Sequence, residues 1–257
     1  MRAQTLPAQA GWRWLLAGMA LYRRNPMGLA LLVISYWFAV IFLNLLPAVG
    51  SLAASIAIPG LSVGLMQAAR NLERSSPIGL PTLFGSFREN PRTLVALGAL
   101  YLLCTLGILG VSTLADGGDL LRYLLADTRA ERAAVEDADF LASSLVVLTL
   151  MVPLIMAYWF APTLAAWHRQ PLAKSLFFSF VACWLNWRPF LAYSVALTIF
   201  SGVLPGLVLG ILVLIFPEAA SASTTIVSIP LALFIAPVVY ASFYACYRDI
   251  FGISEIA

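Results

Sequence analysis

The chain has 257 residues, 61% of them hydrophobic and only 11% charged, with a net charge of +3 and a mean hydropathy of +0.92. Soluble domains run at about 45–50% apolar and 25% charged, so these charges cannot coat a globule in water and lipid is the solvent for most of the surface. The small net charge argues against a nucleic-acid partner, and one His with three Cys points to no metal site and no cofactor.

In chain order, Trp12, Leu15, Leu16 and Met19 recur at helical spacing, with Arg13 and Arg24 on another face. That pattern predicts an interfacial amphipathic helix. No signal peptide is expected, because the first apolar run is about twice the length of a signal h-region. A bilayer core takes about 20 apolar residues in a helix. Runs free of Asp, Glu, Lys and Arg predict six spans: Met27 to Leu46, Ser51 to Ala69, Thr93 to Ala115, Leu141 to Trp167, Pro189 to Phe216 and Ala219 to Tyr247. The turn Pro47-Ala48-Val49-Gly50 divides the first two. The acidic loop 116–140 starts with Leu120, Leu121, Tyr123, Leu124 and Leu125, which can lie on the membrane. It continues as an Ala-rich, charged stretch expected to be a solvated helix. Its Glu136-Asp137-x-Asp139 lacks the Gly turn and spacing of a calcium loop. The fold class is therefore all-α, a polytopic bundle of six transmembrane helices in one integral membrane domain, 1–257.

Twelve Lys and Arg fall in the N-terminal segment, the second and fourth loops and the tail, against three in the other loops. The positive-inside rule then predicts both termini on the cytoplasmic side and loop 116–140 in the periplasm. Trp12, Trp14, Trp167, Trp184 and Trp187 fall at the same predicted inner interface, while Trp37 and Trp159 are expected to pack inside spans.

A threefold pattern underlies this topology. Asn25-Pro26, Asn90-Pro91 and Asn186-Trp187-Arg188-Pro189 precede spans one, three and five. Pro suits a helix's first turn and disfavours helix in the residue before it. The second and third signals follow Leu83-Phe84-Gly85-Ser86-Phe87 and Leu176-Phe177-Phe178-Ser179-Phe180, which share L-F-x-S-F. Spans two, four and six carry Pro59, Pro162 and Pro237. The expected unit is an interfacial helix, an Asn-Pro break and a helical hairpin, repeated over 8–70, 75–169 and 171–248.

On these residues, together with Tyr244-Ala245-Cys246-Tyr247-Arg248-Asp249-Ile250-Phe251, the chain resembles a family of uncharacterised proteobacterial inner-membrane proteins. That family is similar to the YciC-like proteins and to the membrane domain of some glycerophosphodiester phosphodiesterases. The resemblance covers about Ala8 to Gly252, and it implies a six-helix protein of the bacterial inner membrane with no catalytic residues to carry over.

No ionisable residue falls inside the predicted spans, which argues against a proton-coupled transporter or a membrane hydrolase. His168 is expected to be structural at the inner end of span four, and Cys104, Cys183 and Cys246 to be small core residues. Gly202, Pro205, Gly206 and Gly210 interrupt span five, a pattern that exposes backbone to substrate in transporters and elsewhere permits close packing or a kink. Tyr240, Phe243, Tyr244 and Tyr247 form a packing stripe. The basic inner face is the best functional lead. Arg23, Arg24, Arg88, Arg92 and Arg188 lie at the Asn-Pro corners, where free N–H groups and a helix dipole would meet an anionic lipid headgroup. The expected function is non-enzymatic binding of membrane lipids or of a membrane-protein partner in envelope maintenance. The alternative is a transporter or channel for an apolar or neutral solute. A polar central cavity favours transport, a packed centre favours binding, and a Ser-His pair would revive an enzyme.

Overall fold

The computed structural model describes residues 3–47, 49–125, 138–217 and 220–252; the charged stretch of the acidic loop up to residue 137 lies outside them. The fold is an all-α membrane bundle. Among the described residues six helical segments are long and apolar enough to cross a bilayer: Pro26–Asn44, Gly50–Glu73, Pro91–Leu114, Ser143–His168, Trp187–Ile215 and Thr224–Phe251. The helices in chain order are α1 (Ala10–Arg24), α2 (Pro26–Asn44), α3 (Gly50–Glu73), α4 (Leu80–Glu89), α5 (Pro91–Asp116) and α6 (Asp119–Leu125). They continue as α7 (Ala138–Tyr158), α8 (Ala161–His168), α9 (Leu172–Leu185), α10 (Trp187–Thr198), a π turn (Ile199–Val203), α11 (Leu204–Ile215) and α12 (Ala220–Phe251). On the basic side α3 and α12 run beyond their apolar stretches. The helices carry Arg70, Glu73, Arg248 and Asp249 with them.

Helices α1, α4 and α9, which precede the Asn-Pro corners, dock on the second arms of hairpins, next to their prolines. Ser86 of α4 donates its hydroxyl to Gly60 O of α3 (2.6 Å), one residue after Pro59. Ser179 of α9 donates to Met156 O (2.8 Å) and accepts from Phe160 N–H (2.9 Å). Met156 O and Phe160 N are a helical i, i+4 pair, so the Ser179 hydroxyl stands in the ladder of span four where α7 ends and α8 begins. A polar side chain inserted there, beside Pro162, is a recognised cause of a helix break. On α1, Gly18 takes the corresponding place. A Cβ at Gly18 would lie 2.6 Å from Val238 O, one residue after Pro237, and a Cβ at Gly11 would lie 2.2 Å from Pro189 O. Helix α1 therefore packs backbone to backbone on α12 and α10. It runs antiparallel to α12, since Trp14 meets Asp249 while Tyr22 meets Phe234.

Docking puts Leu15 and Trp14 of α1 against the protein, Trp14 fully buried, while Trp12 and Leu16 stay about half exposed, at 51% and 53%. The inward face is Ala10, Gly11, Trp14, Leu15, Gly18 and Leu21. Trp14 is thus a core residue and not part of an interfacial belt. It meets Phe190 and Tyr193 at ring-centroid distances of 5.6 Å. Trp159, Phe243, Tyr240 and Tyr36 continue the cluster through successive aromatic contacts. The stripe expected on span six is its spine.

Span five lies at the edge. Its last half exposes Leu204, Leu207, Val208, Ile211 and Leu214, and a Cβ at Gly202, Gly206 or Gly210 would meet nothing within 4 Å. These glycines provide no close packing within the chain. The interruption of span five takes the form of the π turn that ends just before Pro205.

A basic end and two cavities

The five corner arginines lie where α1 meets α2, α4 meets α5 and α9 meets α10, and all five are exposed. The corners differ in chemistry. At the first, Asn25 Oδ1 accepts from Gly28 N–H (2.9 Å), so the asparagine itself caps α2. Asn90 turns away to donate to Ala165 O (3.1 Å), and Asn186 holds the N-terminal segment through Leu6 N–H and Gln4 O, both 2.9 Å. Neither caps its following helix. Arg24 bonds Leu72 O and Glu73 O at the end of α3 (2.9 and 3.1 Å). Arg188 lies 5.3 Å from the Trp187 ring.

Sequence reasoning did not single out the polar network between these corners. Glu73 accepts from Tyr244 OH (2.5 Å) and from the Arg248 guanidinium, joining α3 to α12. Arg248 also bonds Asp249 (2.9 Å), which accepts from Trp14 Nε1–H (3.2 Å) on α1. A half-buried ion pair contributes most when each charge has further hydrogen bonds, and here both carboxylates do. The signal was available: Glu73 and Asp249 are acids at the basic ends of two spans. His168 Nε2 lies 2.6 Å from Tyr247 OH, a bond between α8 and α12, consistent with a structural role. The thiol of Cys183 in α9 is buried, which pushes its pKa up to about 12, as for a small core residue. Among the described residues no three His, Cys, Asp or Glu side chains are grouped to hold a metal.

Two cavities flank the seam between α3 and α8. The first, about 260 Å³, lies at the proline kinks, against Pro59, Val63, Met66, Trp159, Pro162 and Tyr240 among others. None of the residues around it is charged; its polar groups are the hydroxyls of Ser55, Ser62, Thr163, Tyr101, Tyr158 and Tyr240. The second, about 480 Å³, is polar and lies between α3, α4 and α8, where Gln67, Arg70, Asn71, Thr82, Glu89 and Trp167 are its principal side chains. Along α3 the walls change from Val63 and Met66 to Gln67 and Arg70, and along α8 from Thr163 to Trp167. Four residues of helix advance about 6 Å, so the polar cavity lies about one turn nearer the basic end. The glycines of span five line neither cavity. Positions 59 and 162 mark the central one.

A comparison with curated proteins finds the probable inner membrane protein BTH_II0599 of Burkholderia thailandensis, 34% identical over 262 aligned residues, covering 99% of this chain and 96% of the relative. No family model matches the chain. No solved structure matches it either.

Proposed function

The chain belongs to the family of this probable inner membrane protein, and from that premise we propose that it is a non-enzymatic multi-pass protein that holds phospholipid in envelope maintenance. The observation that carries this reading is the central cavity. Apolar and aromatic side chains dominate its walls, it has no charged residue, and it sits where an acyl chain would lie. An ion or hydrated solute would lose its water there without a charged partner. In this reading both termini are cytoplasmic, and Arg23, Arg24, Arg88, Arg92 and Arg188 contact anionic headgroups of the inner leaflet, each gaining about 1 kcal/mol. The YciC-like proteins and the phosphodiesterase membrane domain would share this lipid-facing role. A membrane-protein partner is the other occupant this reading allows, on the exposed apolar face of span five.

The test is lipid retention. Protein extracted with its native bilayer should carry phosphatidylglycerol or cardiolipin above their bulk proportion, read by mass spectrometry. Replacing the five arginines with Lys keeps charge and insertion but removes the forked donor, and retention should fall. Retention at bulk proportion in the wild type would overturn the reading. A second reading, transport of an apolar or neutral solute, draws on the uncharged, hydroxyl-bearing cavity. It requires solute counterflow in proteoliposomes, which the lipid reading does not.

A further inference from the structure

The polar cavity carries a more specific assignment. Arg70 lines this cavity, and among the described residues no carboxylate pairs with it. Its guanidinium lies over the face of Trp167, 4.8 Å from the ring centroid, with Arg74 as a like charge nearby, and among the described residues its buried Nε has no hydrogen-bond partner. A buried donor left unsatisfied is costly. The nearby carboxylates are committed elsewhere. Glu73 belongs to Tyr244 and Arg248, and Glu89, on the rim of the cavity, pairs with Arg169 at 3.2 Å. Arg74 adds a second cation beside Arg70, while Arg169 and Arg248 are each already paired with a carboxylate. The favourable dipole at the end of α3 explains a cation in the last turn, but it explains neither the open volume nor the unpaired Nε.

We propose that this cavity binds a phosphoryl group, that of an anionic phospholipid headgroup, with the Arg70 guanidinium as its main contact. This deepens the lipid-holding reading and rests on it. The planar guanidinium matches a phosphate in two-point contact. Thr82 Oγ accepts from Gly79 N–H (3.3 Å) and keeps its own proton to donate. Gln67 donates one N–H to Asn71 (2.8 Å) and has a second. The apolar cavity one turn deeper is where a chain attached to that headgroup would go, so the two cavities match the two ends of one lipid.

The structure supplies a blocking variant. Gly85 lines the polar cavity, and a Cβ there would meet nothing within 4 Å, so Gly85→Leu fills the site without displacing a helix. The experiment uses the full chain in micelles, with native mass spectrometry against phosphatidylglycerol, phosphatidylcholine and millimolar inorganic phosphate. Wild type should prefer phosphatidylglycerol. Arg70→Gln and Gly85→Leu should each weaken its retention about tenfold, equivalent to about 1.4 kcal/mol, while Lys174→Gln, an exposed charge lost from the same side, should not. Wild-type retention in both cavity variants would overturn the site and leave the lipid-holding reading standing. Inorganic phosphate bound by wild type but not by Arg70→Gln, with no phosphatidylglycerol bound, would keep the phosphoryl site and overturn the lipid source. Neither ligand sensitive to Arg70 would overturn the proposal entirely.

Discussion

Removing one hydroxyl should unfasten span four. Ser179 is fully buried and its oxygen serves two backbone groups, Met156 O and Phe160 N–H. Ser179→Ala leaves both without a partner in an apolar site. Buried interhelical hydrogen bonds in membranes average about 0.6 kcal/mol and reach about 1.7, so two lost bonds should cost about 1–3 kcal/mol. Ser86→Ala removes one bond, to Gly60 O, which sits in an intact helix and retains its helical donor; about 0.5–1 kcal/mol is expected. Equilibrium unfolding by SDS titration in mixed micelles, followed by far-UV circular dichroism, reads both. The stricter check is a cycle with Pro162→Ala. With the proline gone, Phe160 N–H can bond Met156 O directly and the hydroxyl is no longer needed. Ser179→Ala should then cost less than half as much, a coupling of the size seen for residues sharing a network. An equal cost with and without Pro162, or less than about 0.5 kcal/mol in the wild-type background, would refute the inserted-hydroxyl account.

Gly18→Ala should destabilise by about 1–3 kcal/mol by overpacking against Val238 and Ser242, whereas Gly206→Ala, with open space at its Cβ, should be neutral or stabilising by up to about 1 kcal/mol, both read in the same titration. Asp116 caps the turn into α6. Its burial works against ionisation, but hydrogen bonds from Leu120 N–H, Ser143 and Gly118 N–H outweigh it and hold the carboxyl below the usual range. A depressed pKa stabilises fully above the unfolded value near 3.8 and is lost as pH falls through the lower folded one. Thermal stability should therefore drop on acidification below about pH 4, with a shallower drop in Asp116→Asn. Ser75 holds φ at +55°, so Ser75→Gly should raise the midpoint of unfolding by relieving about 1 kcal/mol. For orientation, single cysteines at Ser76 and Ala130 should differ in whole cells: an impermeant thiol reagent should label Ala130→Cys and spare Ser76→Cys, and the reverse would invert the topology.

The number and order of spans were readable from the chain alone, because the cost of placing a charge in hydrocarbon is paid locally and any window without Asp, Glu, Lys or Arg reports it. The same holds for the Asn-Pro boundaries, which act through the backbone of one residue and its neighbour. The faces were not readable. Hydrophobic periodicity marks an inward face only when the other side meets water, and beside lipid an apolar side chain gains nothing by turning in. Trp12 and Trp14 are chemically alike, yet the glycine notches at positions 11 and 18 bring α12 and α10 against the Trp14 side. L-F-x-S-F was visible as a pattern, but the purpose of its serine depends on a carbonyl 23 residues away in the case of Ser179 and 26 away for Ser86. Arg70 likewise looked like one topological charge among twelve. Only the folded chain commits Glu73 to Arg248 and opens a cavity beside Gly85, leaving that guanidinium without an acid among the described residues. Such pairings join residues distant in sequence, so no local pattern of charge or hydropathy can fix them.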